Sequence, residues 1–126
     1  MRVLIDTHIF IWCDQRPRAV APALLATLRD VGNEVFVSAA SVWEIAIKRA
    51  TAKLRFDARI VNTVERLGFE LLPIKGIHAE HAGALPRHHN DPFDRLLIAQ
   101  AVLEGMVLGT HDRLMRPYGV AMLGLT

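Results

Sequence analysis

A single cysteine in 126 residues leaves no internal disulfide to form, and Cys13 has no companion thiols for a structural zinc site. Cys13 therefore reads as a core residue rather than a nucleophile. Long apolar runs are also missing. Arg2 to Ile5 and Leu96 to Ala99 are far too short to cross a bilayer, so no membrane span is expected. Asp6 and His8 interrupt the N-terminal apolar stretch before a signal-peptide core or cleavage site appears, which points to a protein that stays in the cytoplasm. Gly105 and Gly109 lack the spacing and the lysine of a phosphate-binding loop, and there is no Gly-x-Ser-x-Gly nucleophile elbow. Neither sign of charge dominates: 15 Lys and Arg against 13 Asp and Glu give +2, only a weak pointer to a polyanionic partner.

What is present is apolar material, 52% of residues, enough for one continuous core and a single domain over residues 1–126. Short branched runs read as buried strands at Arg2 to Ile5, Glu34 to Val37, Phe69 to Leu72, Met106 to Gly109 and Val120 to Leu123. Between them, helical spacing covers Ala23 to Asp30, a segment capped by Ser38 or Ser41 and running to about Ala50, then Asp57 to Leu67, and Ile77 to Leu85. Asp91-Pro92 is a cap followed by proline at the first helical position, and that helix should reach Glu104 before Gly105 ends it. Strands alternating with helices predict a three-layer α/β/α sandwich around a mainly parallel sheet, with a ligand crevice beyond the carboxyl ends of the strands.

Four carboxylates fall near that edge, and each has an ordinary explanation beside a chemical one. Asp6 follows the first strand, where it either faces the crevice or caps the next helix. Glu44 is the lone charge in an apolar or small segment. It belongs to a Ser41-x-x-Glu44 capping box, pairs with Lys48 at i,i+4, or turns into a site. Asp91 suits the cap, leaving Asp94, one turn into the helix, as a dipole-compensating acid or a ligand. Asp112 follows the fourth strand through Gly109-Thr110-His111 and is a solvated loop acid or a fourth member.

The predicted topology brings these four together, and clustered carboxylates repel unless a cation neutralises them. Mg²⁺, or Mn²⁺, prefers such oxygen ligands, keeps several waters and is commonly completed by phosphate oxygens, which suits phosphodiester hydrolysis. Asp6 and Asp94 are the first choice as direct ligands. Glu44 would hold the attacking water or help deprotonate it, and Asp112 would support the first or a second ion. Hydroxyls of Thr110 and Thr7 could orient these groups.

At this point the chain resembles the PIN-domain family and, within it, the VapC-type toxins of bacterial toxin-antitoxin modules. The resemblance rests on Val3-Leu4-Ile5-Asp6-Thr7-His8, on Val37 to Ile45 with Trp43-Glu44, on Asp91-Pro92-Phe93-Asp94-Arg95-Leu96-Leu97-Ile98-Ala99-Gln100-Ala101, and on Thr110-His111-Asp112. It implies a Rossmann-like fold, Mg²⁺- or Mn²⁺-dependent cleavage of RNA, frequent homodimers, and inhibition by a cognate VapB-type antitoxin that often sets a basic side chain near the acids. Residue by residue it implies Asp6, Glu44, Asp94 and Asp112 as the acidic set. His8 stands where many relatives carry Asn or Ser, and Met115 where many carry Phe.

Several features stay outside this frame. Lys48, Arg49, Lys53 and Arg55 form one basic stretch and Arg113 with Arg116 another, informative only if they flank a site. Arg87, His88 and His89 either touch phosphate beside the acids or form a solvated loop. His78 and His81 have helical spacing but no ordered third ligand for zinc. Trp12 and Trp43 could stack bases, though their apolar neighbourhoods favour packing in the core or against a partner. Two competing classes remain at this level: a receiver-like signalling domain and a catalytically silent binding module.

Overall fold

The computed structural model describes residues 1–125. Strand β1 (Arg2–Ile5) leads into α1 (Thr7–Gln15), then, after a 3-10 turn at Pro17–Ala19, into α2 (Pro22–Arg29), β2 (Glu34–Ser38) and α3 (Ala39–Ala50). There follow α4 (Ile60–Arg66), β3 (Glu70–Leu72), α5 (Gly76–Ala84), α6 (Pro92–Glu104), β4 (Val107–Gly109), a 3-10 segment at Arg113–Tyr118 and β5 (Met122–Leu123). Every strand pairing is parallel, and the order across the sheet is β3-β2-β1-β4-β5. This follows the Rossmann order without its sixth strand and differs from the 2-1-3-4-5 order of receiver-like folds.

Side chains alternate across a strand, so each short strand feeds two cores. Val3, Ile5, Val35 and Val37 pack with Ile9 and Phe10 of α1, Ile45 of α3, and Ile60 and Val64 of α4. Leu4, Phe36 and Leu108 pack on the opposite face with Leu97, Ile98 and Ala101 of α6. A helical layer therefore covers each face, which is the sandwich expected from the alternation of elements.

The order of the strands also fixes where a site can form. Chain growth moves outward from β1 to β3, then returns to place β4 on the other side of β1, so the connection reverses between β1 and β4. In register, Ile5 pairs with both Val37 and Gly109. The next residues, Asp6, Ser38 and Thr110, consequently stand side by side at the carboxyl edge, where doubly wound sheets open a crevice.

Local chemistry explains most element ends. Asp91 accepts the amides of Phe93 (2.9 Å) and Asp94 (3.2 Å), Pro92 opens α6, and Gly105 closes it at φ 64°, a left-handed conformation natural to glycine. Ser38, not Ser41, caps α3 by accepting the Ala40 amide at 3.0 Å, so the Ser41-x-x-Glu44 capping box does not form. Helix α4 starts at Ile60 instead of Asp57 because the Asp57 carboxylate is engaged by Arg55 and caps nothing. Helix α1 was not singled out by periodicity. Its Ile, Phe, Ile and Trp run has modest helix propensity, and what holds it is the Asp6 cap together with burial of Ile9, Phe10 and Ile11.

Candidate active site

Asp6 is 3% exposed, and both of its oxygens have partners. Oδ1 accepts the Ile9 amide at 2.8 Å as the α1 cap, and Oδ2 accepts the Thr110 hydroxyl. The two explanations offered for Asp6 are thus compatible, since each carboxylate oxygen keeps a further lone pair. Burial drives the Asp6 carboxyl above its ordinary range, and the Asp112 charge adds to this. Thr110, the Ile9 amide and His8 oppose it. Thr110 also accepts the Asp112 amide at 2.9 Å, so one hydroxyl couples the ends of β1 and β4. Asp112 is half-buried rather than freely solvated, and Oδ1 accepts the Leu114 amide at 2.9 Å to cap the 3-10 segment. Met115 beyond it is buried in the α6-side core. Thr110→Val keeps the volume but deprives both Asp6 and the Asp112 amide of a partner. It is expected to cost about 1–3 kcal/mol in urea denaturation, with Thr110→Ser recovering most of the loss.

Glu44 projects from α3 into the same edge and is 6% exposed. Oε1 accepts the Thr7 hydroxyl at 2.7 Å, and that hydroxyl lies 2.9 Å from the Ser41 hydroxyl. Oε2 pairs with Lys48 Nζ at 2.8 Å, so the i,i+4 pair exists in addition to the inward placement. Thr7 thus braces Glu44 while Thr110 braces Asp6.

Asp94 completes the arrangement from the first turn of α6. Its carboxyl is pushed up to about 8, chiefly by burial and then by the negative charges of Asp91, Asp6, Asp112 and Glu44. All four expected acids therefore lie within electrostatic reach of one another, with Asp94 feeling the other three. Asp91 contributes charge but faces its own helix as the cap.

The loop before α6 is better organised than a solvated loop. His89 is half-buried, with Nε2 3.3 Å from Asp94 Oδ2 and Nδ1 2.8 Å from the Tyr118 hydroxyl. Arg95, buried in α6, donates to the carbonyls of Ala82, Leu85 and Pro86, each at 2.9 Å, and to Tyr118 at 3.3 Å. Sequence reasoning missed both roles. The available signals were that Arg95 is the lone base in an apolar helical run and that Tyr118 is the chain's one tyrosine.

Other candidates are placed elsewhere. His78 is buried, accepts the Lys75 amide on Nδ1 at 3.0 Å and lies 3.1 Å from Glu104 on Nε2, a structural role. Cys13 lines a cavity of about 440 Å³ with Leu25, Leu28 and Phe69, and burial pushes its thiol up to about 11, unsuited to nucleophilic work. Trp43 is 62% exposed, edge-on to Phe93, and so is not core.

The PIN domain family matches residues 3–119 of the sequence. The chain belongs to the PIN-domain family. It is similar to Ribonuclease VapC22 of Mycobacterium tuberculosis (strain ATCC 25618 / H37Rv), 28% identical over 120 residues that cover 92% of this chain and 91% of that protein. Its fold is similar to VapBC2 from Rickettsia felis bound to a DNA fragment from their promoter, with a TM-score of 0.71, 14% identity and 98% of each chain covered. A toxin-antitoxin complex from Klebsiella pneumoniae gives a TM-score of 0.57 at 19% identity, covering 87% of this chain and 86% of that one. At such identities the structural likeness shows the fold, a PIN-type sandwich.

In this PIN domain the donor set at the switch point is all oxygen, with no thiolate or imidazole among the four acids. Among the described residues, no three His, Cys, Asp or Glu side chains converge tightly enough to form a ready-made metal cage. That pattern fits Mg²⁺ or Mn²⁺, which accept one or two direct carboxylates and keep waters, better than it fits zinc.

Proposed function

We propose that the chain is a metal-dependent endoribonuclease, the toxin of a type II toxin-antitoxin system, hydrolysing RNA phosphodiester bonds. The observation that carries this reading is the state of Asp94: four acids held so close at a switch point that one carboxyl rises to about 8. Such repulsion is relieved by a divalent cation. The similarity to a protein named as a ribonuclease supports the choice of RNA.

Asp6 and Asp94 would hold the ion, with Glu44 and Asp112 completing the set. When bound, the ion activates water, polarises the phosphoryl oxygens and stabilises the leaving oxygen. Thr7 and Lys48 fix the Glu44 carboxylate, leaving it placed to orient an attacking water and take its proton. Thr110 holds Asp6 against the sheet edge, and His89 limits the rotation of Asp94. Outside the pocket, exposed Trp43 and Ile47 of α3 offer apolar surface for a VapB-type antitoxin or a second copy of the chain, and the protein acts in the cytoplasm.

The test is cleavage of total RNA by purified, antitoxin-free protein, with ends mapped. Cutting is expected with Mg²⁺ or Mn²⁺ and is expected to stop with EDTA. Cutting that persists in EDTA would sink the metal assignment, and absence of cutting under all ions would favour a silent binding module.

A further inference from the structure

The basic stretch after α3 does flank the acids. One face of α1 presents His8, Trp12, Gln15 and Arg16, and together with Lys48 and Lys53 these line a cleft of about 260 Å³. Both walls are fixed. Ala52, in the left-handed region at φ 58°, turns the chain after α3 so that the Lys53 amide donates back to the Lys48 carbonyl at 2.9 Å. Gln15 Nε2 donates to the Arg55 carbonyl at 2.9 Å, tying the end of α1 to the same turn.

The cleft joins the acidic pocket without a break, because Lys48 lines it while bonding Glu44, and His8 lines it two residues beyond Asp6. No carboxylate is among its lining residues, and among the described residues Arg16 and Lys53 take part in no ion pair. Trp12 is half-buried between His8 and His111, with ring centroids 5.9 and 6.1 Å away, so its ring is held in place. Free cations beside a fixed aromatic ring are the combination that binds single-stranded nucleic acid, the cations taking phosphates and the ring a base.

We propose that this cleft is a subsite for the RNA strand as it runs off the acids, with phosphates on Arg16 and Lys53 and a base stacked on Trp12. This rests on the ribonuclease reading above and deepens it. A narrow slot with a planar wall suits a nucleotide better than an acidic protein segment, whose side chains have no flat face to stack.

Fluorescence anisotropy with a fluorescein-labelled single-stranded RNA of about ten nucleotides, in EDTA to prevent cleavage and over a range of NaCl, tests it. The double variant Arg16→Gln/Lys53→Gln is expected to raise Kd about tenfold or more and to reduce the slope of log Kd against log salt by about 1. Trp12→Ala is expected to weaken binding about tenfold with the slope unchanged. Arg59→Gln/Lys75→Gln, which removes the same charge elsewhere, should stay within about twofold of the parent. Wild-type affinity and slope in the Arg16/Lys53 variant, in a chain that still binds and cuts RNA, would overturn the subsite alone. A parent chain that neither binds RNA nor cuts it with Mg²⁺ would overturn the ribonuclease reading too. Stronger binding of polyglutamate than of RNA, lost in the same double variant, would overturn it in favour of an acidic protein partner.

Discussion

Asp94→Asn is expected to lower RNA cleavage by at least about 100-fold while making the metal-free chain more stable. The side chain is 18% exposed, and its carboxyl sits at about 8 because burial and the neighbouring acids oppose its charge. Asparagine keeps the shape and removes that repulsion. It also gives up a favourable charge near the start of α6, worth about 0.3–1 kcal/mol, against an expected gain of about 1–3 kcal/mol above pH 8. Asp6→Asn should lose cleavage similarly and stay folded, since an asparagine oxygen can still accept the Ile9 amide. Normal cleavage by both variants, or a destabilised Asp94→Asn chain at high pH, would refute the role given to these acids.

The same carboxyl sets a pH dependence. Its folded value, about 8, lies above the ordinary 3.8, so across that interval the folded chain keeps a proton that the unfolded chain releases. Stability from this group is therefore complete below about 3.8 and declines as pH rises through about 8. The Tm of the metal-free protein should fall over that window, less steeply in Asp94→Asn. Because Mg²⁺ competes with the proton, the rise in Tm that it produces should grow with pH.

Much of this arrangement can be read before any coordinates, for identifiable reasons. The strands show as branched runs because both faces of a parallel sheet are covered, and α6 is bracketed by Asp91-Pro92 and Gly105. Asp6 and Asp112 are legible because a topology rule places residues that follow strands at the crevice. What stays hidden depends on contacts between distant segments. The two hydroxyls were foreseen as orienting groups, but not that Thr7 serves Glu44 and Thr110 serves Asp6, since that pairing depends on strand register. Ser38 and Ser41 are equivalent candidates by composition, and only the end of β2 decides between them. Helix α1 escaped because its apolar residues are dense and β-branched, and its stability is tertiary.

Arg95→Met should cost about 3–5 kcal/mol, seen as a fall in Tm of about 10–20 °C, although Arg95 faces no carboxylate. Among the described residues it forms no ion pair. Its buried charge is instead matched by carbonyls at the C-terminal end of α5, where the negative end of the helix dipole and unpaired carbonyl groups favour a cation. Methionine would fill the space and leave the carbonyls of Ala82, Leu85 and Pro86 short of donors, each a loss on the order of 1–3 kcal/mol if water cannot reach it. Lysine keeps the charge but not the planar fork that reaches three carbonyls and Tyr118, so Arg95→Lys should fall between methionine and the parent. Because the same guanidinium pins the loop that carries His89 to Asp94, Arg95→Lys should also slow RNA cleavage under conditions where the chain remains fully folded. A lysine variant as stable and as active as the parent would show that charge alone, and not the fork, organises the loop beside the acids.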